Sequence, residues 1–317
     1  MISLIGSFLL TVLCIGLLLP VLRRLKFGQR ILEIGPSWHL SKSGTPTMGG
    51  IAFIICALVL SFLLLLMREY ESVTHAFLVL GYSVLGGIIG LVDDSLKLKR
   101  KQNAGLSAMS KLMLQIIAAI VFVFLMRKLG YIDTTVYIPF VKRSIDVGMA
   151  YYPLSILFLC GFSNAVNLTD GVDGLCASVS AVVSLFLALG GIYEINYGNS
   201  VFAVAVCGIC LGFLVYNFHP AKIFMGDTGS LFLGSAIGGL ALAGKANGLL
   251  LVYGSVYVFE AVSVILQVIY FKSTKKRLFL MAPYHHHLEK KGFSEIKINV
   301  IFVAVTLVLC VIGHFFG

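Results

Sequence analysis

Long apolar runs separated by short polar segments fill the chain from end to end. Runs of about 17–25 apolar residues have the length of a bilayer-crossing helix. Ten such runs are predicted as membrane helices: 1–22, 48–67, 75–92, 112–129, 151–166, 175–193, 201–217, 230–243, 249–271 and 298–316. The eighth is short, and the fifth is lean where it ends in a polar stretch. Gly86/Gly90 and Gly234/Gly238 form small-residue pairs that let helix backbones approach. The exception to this helical pattern is TTVYIPFVKRSIDVG (135–148 within it), strand-like and broken by Pro139, which predicts a short exposed β-hairpin. No internal repeat and no linker divides the chain, so residues 1–317 read as a single domain of an all-α polytopic membrane protein.

The polar segments hold the candidate chemistry. GLVDDSLKLKRKQNAGL closes the third run with Asp93, Asp94 and Lys97. On a helix Lys97 follows the two acids by three and four residues, so it shares a face with both. A snorkelling helix end with a local ion pair would explain one acid, less readily two. NAVNLTDGVDG (164–174) supplies Asn167, Asp170 and Asp173 between two apolar runs. Capping of the sixth helix by Thr169 or Asp170 accounts for one of these acids. NFHPAKIFMGDTGS (217–230) brings Asn217, Phe224 and Asp227 just before the eighth run, where Asp227 is either a cap or a site residue beside flexible glycines. SKSGTPTMGG (41–50) contains Lys42 and Thr47 in a turn that is neither a Walker A loop nor a dinucleotide fingerprint. MAPYHHHLEKKG (281–292) places His285, His286 and His287 together. Consecutive imidazoles with no Cys nearby disfavour zinc and suit donation to phosphate. Glu260 and Gln267, seven residues apart inside the ninth run, mark one helix face; an interhelical polar tie is at least as good a reading as a catalytic acid.

Composition sharpens this picture. Hydrophobic residues are 59% of the chain and charged residues 12%, against roughly a quarter charged in water-soluble domains. The first run has no basic residue ahead of it and Arg23, Arg24 and Lys26 behind it, which reads as a retained span rather than a cleaved leader. Loops after odd-numbered runs hold 18 of the 24 Lys and Arg residues, and loops after even-numbered runs hold 6. By the positive-inside rule the odd loops face the cytoplasm and both termini face out. The net charge of +10 is this asymmetry plus attraction to anionic membrane lipid, not a nucleic-acid footprint. The seven Cys lie in or at the ends of apolar runs and form no disulfide framework; Cys207 and Cys210 read as small helix residues.

Asp93, Asp94, Asp170, Asp173 and Asp227 are five of the seven Asp, and all five map to the cytoplasmic side. Two such charges about 4 Å apart repel by about 4 kcal/mol at an effective dielectric of 20. Convergence would therefore require a cation, and an all-oxygen set near basic residues suits Mg²⁺ together with a substrate phosphate. Lys42, Lys97, Lys101 and Lys111 on the same side can meet a polyanion. The combination points to phosphoryl transfer at the membrane surface.

GTPTMGG, DDSLK, GLSAMSK (105–111), NAVNLTDGVDG, NFHPAKIFMGDTGS and PYHHHLE occur in one order through most of the chain. In this the chain resembles the polyprenyl-phosphate N-acetylhexosamine-1-phosphate transferases. The histidine run and the intact GTPTMGG favour the branch with a muramoyl donor. Ser95 and Tyr284 depart from the usual aromatic and aliphatic residues. The resemblance implies ten transmembrane helices, a cytoplasmic-side active site in the bacterial cell membrane, Mg²⁺ dependence and a homodimer. It implies transfer of the phospho-sugar from UDP-MurNAc-pentapeptide to undecaprenyl phosphate, giving lipid I and UMP. It also implies roles: Asp227 as main Mg²⁺ ligand, and Asp93 and Asp94 as a catalytic pair sharing the metal, with Asp93 deprotonating or orienting the lipid phosphate. Lys97 and Lys111 accompany them. Lys42, Asp173, Asn217 and Phe224 resemble a uridine pocket lined by Thr47, Asn167 and Asp170, and His285 to His287 resemble essential histidines near the diphosphate. Three other readings stay open: a sister transferase using UDP-GlcNAc, a secondary transporter, and a membrane scaffold.

Overall fold

The computed structural model describes residues 1–24, 42, 44–65, 70–100, 104–190 and 196–317, with side chains omitted over 61–72. Lys101, and the ends of the second and sixth apolar runs, lie outside the described residues. The chain is mostly helical: α1 (Ile2–Arg24), α2 (Ile51–Leu65), α3 (Tyr70–Arg100), α4 (Ala108–Lys128), α5 (Tyr151–Thr169), α6 (Leu175–Leu189), α7 (Tyr197–Asn217), α8 (Gly226–Ala243), α9 (Asn247–Tyr253), α10 (Ser255–Thr274), α11 (Tyr284–Lys290) and α12 (Glu295–Phe316). Among the described residues seven helices are long and apolar enough to cross a membrane, and Ile51–Leu60 and Leu175–Leu189 are shorter apolar helices. It is a multi-pass membrane architecture.

The helix faces follow from residue spacing. In α1, Ser7, Thr11, Ile15, Leu19 and Leu22 recur at three- and four-residue steps and are buried, while Ile5, Leu9, Leu13 and Leu17 are exposed on the opposite face. Apolar residues outside, with Ser7 and Thr11 joining apolar residues within, suit a helix with lipid on one side and α7 on the other. α8 sits at the centre, packed against α3 and α5, and every residue from Thr228 to Ala243 is buried. Its short, Gly- and Ala-rich run is the weakest apolar signal in the sequence because it faces protein on all sides. Gly90 of α3 lies against the backbone of Asp227; a Cβ there would overlap the Asp227 carbonyl, so the glycine sets how closely α3 approaches the start of α8.

One expectation needs correction. The ninth run is not one helix: it divides at Gly254 into the short α9 and the longer α10. Helix α3 continues past the apolar run to Arg100, as the expected shared helix face of Lys97 with Asp93 and Asp94 requires. The strand-like segment pairs as β1 (Thr135–Ile138) with β2 (Arg143–Asp146), antiparallel, with Thr135 opposite Asp146 and Ile138 opposite Arg143. Lys245, in the α8–α9 turn, reaches Asp133 at the base of this sheet at 2.9 Å.

Candidate active site

The last turns of α3 meet the first turn of α8. Asp93 and Asp94 are almost fully buried there, and Lys97 stands over both, its Nζ 2.6 Å from Asp93 Oδ2 and 3.6 Å from Asp94 Oδ1. The same ammonium lies 2.8 Å from Asp227 Oδ2. Lys111, in the first turn of α4, meets that Asp227 oxygen at 2.8 Å as well. Asn167, near the end of α5, donates to Asp227 Oδ1 at 2.8 Å and to Ser230 Oγ at 2.7 Å. Four helices thus converge on one carboxylate.

Local chemistry explains each approach. Asp94 accepts the N–H of Asp227 at 3.3 Å and of Thr228 at 2.9 Å, plus the Thr228 hydroxyl at 2.7 Å. These are the unpaired amides that open α8, so an acid from α3 caps it across the helix interface. Of the two readings of Asp227, the capping one does not hold: Asp227 lies inside the first turn, and Asp94 is the acceptor. Nor do Thr169 or Asp170 cap α6. Thr169 bonds back to Ala165, Asp170 ends α5, and Gly174, at φ 74°, starts α6. In GLSAMSK, Leu106 N–H donates to Asp93 Oδ1 at 2.8 Å, Ser107 caps α4 and Lys111 reaches Asp227. In GTPTMGG, Pro46 and Gly49 exchange backbone hydrogen bonds with Phe224 at 2.8 and 2.9 Å. A Cβ on Gly226 would lie 3.0 Å from Thr47 Oγ1, which puts Thr47 at the edge of the acid cluster.

A second cluster adjoins the first. Asp173 accepts from Lys42 Nζ at 2.7 Å, from Ala221 N–H at 3.0 Å, and pairs with His219 Nδ1 at 3.0 Å. Glu295, which opens α12, also holds Lys42, at 2.6 Å, and accepts the Asp173 N–H at 3.0 Å. Asn217 braces the region, accepting from Gly174 N–H at 3.0 Å and donating to the Ile223 carbonyl at 2.8 Å. Lys42, Asp173, His219, Phe293 and Glu295 line a cavity of about 570 Å³, within the usual range for a small-molecule site. Half-buried Phe224 does not line this cavity; its backbone is tied to Pro46 and Gly49.

Asp170 lies between the clusters. Burial, and then the charges of Asp227, Asp94 and Asp173, push its carboxyl well above the usual carboxylate range. No side-chain hydrogen bond to it is seen among the described residues. The three histidines occupy three different settings. His285 is fully buried beside Glu260, with Nδ1 3.2 Å from Oε2. His286 Nδ1 pairs with Glu289 at 2.6 Å, and His287 Nδ1 accepts the Leu280 N–H at 3.1 Å.

Oxygens of Asp93, Asp94 and Asp227 lie within 4.8 Å of one another. The donor set is all carboxylate and already gathers a cation, the Lys97 ammonium, so it fits a hard divalent ion such as Mg²⁺. Asp173, His219 and Glu295 form a second such group, in which Lys42 pairs with both carboxylates. Thr228, Ser230, His219 and Glu295 are site residues that sequence reasoning missed. Thr228 and Ser230 sit inside the quoted DTGS, and His219 inside NFHPAK. Glu295, far along the chain and next to an ordinary helix start, carries no such signal.

Residues 76–245 match the model of glycosyl transferase family 4, and residues 42–54 match signature 1 of the phospho-N-acetylmuramoyl-pentapeptide-transferases. Proteins named phospho-N-acetylmuramoyl-pentapeptide-transferase are similar along almost the whole chain. That of Geobacillus sp. (strain WCH70) is 46% identical over 312 residues, covering 98% of this chain and 95% of the relative. That of Bacillus subtilis (strain 168) is 45% identical with the same coverage. That of Caldicellulosiruptor bescii is 43% identical over 311 residues, 98% and 95% of the two chains. Matched by the family model over more than half its length and by these relatives throughout, the chain belongs to the phospho-N-acetylmuramoyl-pentapeptide-transferase family.

Proposed function

We propose that this protein transfers phospho-MurNAc-pentapeptide from its UDP-linked donor to undecaprenyl phosphate, forming lipid I and releasing UMP. The observation that carries this reading is the convergence of Asp93, Asp94 and Asp227 with Lys97 and Lys111 where α3 meets α8. An oxygen of the lipid phosphate forms the new bond to the sugar-bearing phosphorus of the donor. The bond from that phosphorus to the UMP oxygen breaks, and UMP leaves with the electron pair.

Asp227, Asp93 and Asp94 would hold Mg²⁺. When bound, the ion neutralises diphosphate charge and polarises the phosphorus under attack. Asp93 orients or deprotonates the lipid phosphate, its carboxylate fixed by Leu106 N–H. Lys97 and Lys111 supply positive charge beside the reacting phosphates, and Asn167 holds Asp227 in place. Lys42, Asp173, Asn217 and Phe224 form the uridine side, with Thr47 and Asp170 between it and the metal. His286 and His287 serve the diphosphate.

The reading also places ten spans in the bilayer of the bacterial cell membrane, with both termini and the β1–β2 hairpin outside. The site then opens to the cytoplasmic leaflet, where both substrates are found. Exposed apolar residues of α10, including Phe259, Val262 and Leu266, border the groove for the lipid carrier, next to Lys272, Lys275, Lys276 and Arg277. The family resemblance supports a homodimer as the working unit. The test is product formation by purified protein given undecaprenyl phosphate and either UDP-MurNAc-pentapeptide or UDP-GlcNAc. Lipid-linked product from the muramoyl donor is expected; product from the GlcNAc donor alone overturns the assignment.

A further inference from the structure

Glu260 is a carboxylate with no exposure at all, inside α10 and a member of neither acid cluster. A buried, unpaired carboxylate costs several kcal/mol, so whatever meets it is significant. It meets the start of α11: the His285 N–H donates to Oε1 at 3.1 Å and lies 3.4 Å from Oε2, with the ring Nδ1 3.2 Å from Oε2. Gln267, on the same face of α10, accepts the N–H groups of Leu278 and Phe279 at 3.1 and 2.8 Å and donates to the Phe279 carbonyl at 3.2 Å. One polar face of α10 thus fastens both ends of the segment 278–285.

The far side of His285 presses on the acid loop. Its ring Nε2 is buried and makes no hydrogen bond among the described residues. It lies against Gly171, where an added Cβ would overlap it. Gly171 follows Asp170 directly and precedes Asp173 by two residues.

We propose that Glu260 is a positioning residue: through His285 and Gly171 it sets the acid loop carrying Asp170 and Asp173 against α11 and its histidines. The claim rests on the proposed transfer only in using turnover as one readout. The test compares Glu260→Ala, Glu260→Gln and Gly171→Ala in the full-length protein, by carbethoxylation of His285 with diethyl pyrocarbonate, mapped by mass spectrometry, and by kcat and KM for the donor. In wild type His285 is protected while half-exposed His287 reacts. In Glu260→Ala, His285 becomes reactive and kcat falls about 30-fold, the scale of a sub-ångström misplacement of a site. Glu260→Gln, which keeps the carbonyl acceptor for the His285 N–H, recovers to within about 5-fold of wild type, more than a lost charge pair alone would allow. Gly171→Ala, which leaves Glu260 intact, reproduces the fall in kcat. Protection of His285 in Glu260→Ala, equal defects in the Gln and Ala variants, or an unchanged kcat in Gly171→Ala would each overturn the proposal. Should Glu260→Ala fail to fold, the Gln and Gly171 variants decide it. Absence of any transfer by wild type would remove the functional reading, and the carbethoxylation arm would still judge the positioning.

Discussion

Asp94 of α3 accepts both the N–H and the hydroxyl of Thr228 on one oxygen, at 2.9 and 2.7 Å, and so caps a helix to which it does not belong. The contact holds the acid pair at a fixed distance from Asp227, the residue immediately before Thr228. Positive dipole at the α8 start and negative charge at the α3 end stabilise each other and shape the cluster together.

Thr228→Val keeps the volume and removes one donor to this buried carboxylate. A hydrogen bond to a charged group contributes about 1.5–3 kcal/mol, so the thermal midpoint in detergent should fall by several degrees. Activity should fall with it, because Asp94 loses its fixed orientation. Unchanged melting and turnover would remove the cap from the account.

Lys97 touches all three acids, which makes its removal informative in two directions. Lys97→Met should lower kcat by about 100-fold, as loss of one preorganised charge does. It should also tighten binding of Mn²⁺, used as a spectroscopic stand-in for Mg²⁺, by up to about tenfold, since a competing positive charge near 3 Å is gone and only partly screened. Weaker Mn²⁺ binding would mean that Lys97 supports the cation site rather than occupying it.

Asp170 predicts a pH effect of definite sign. Its folded-state carboxyl is raised, first by burial and then by Asp227, Asp94 and Asp173. Its contribution is therefore intact below the ordinary carboxylate range and is lost as pH rises through the folded value. Asp170→Asn should leave stability near pH 4 unchanged and raise the melting temperature near pH 8, measured without divalent ions, while abolishing or crippling transfer. A variant less stable than wild type at pH 8 would contradict the crowding of acids.

The two clusters should separate kinetically. Asp173→Ala breaks the Lys42 and His219 pairs of the 570 Å³ cavity. It should raise donor KM by roughly 10-fold or more with a smaller change in kcat, the signature of lost uniform binding. Asp227→Asn should do the reverse. If both act on kcat alone, the cavity is not the nucleotide side.

Much of this was readable from residues. The helices follow apolar runs, and Lys97 pairs with Asp93 and Asp94 as i,i+4 and i,i+3 spacing requires. DDSLK, GLSAMSK and DTGS each form one wall of the same cluster, because buried Asp93 and Asp94 take their partners from all three segments. What stayed hidden was set by distance along the chain. Glu295 lies 253 residues from Lys42, and nothing local marks it as that lysine's partner. His285, His286 and His287 look alike in sequence, yet one is buried against Glu260 and the others face Glu289 and Leu280. The division of α9 from α10 falls at Gly254 and Ser255, a small-residue pair that changes the hydropathy of the ninth run too little to mark a break.

The most direct measurement is UMP release by purified protein supplied with UDP-MurNAc-pentapeptide and undecaprenyl phosphate, with Mg²⁺ or with excess EDTA, for wild type and Asp227→Asn. The account predicts release that needs both the lipid and the divalent ion and that drops by at least about 100-fold in the variant. Release that continues at the wild-type rate in EDTA, or in Asp227→Asn, would contradict it.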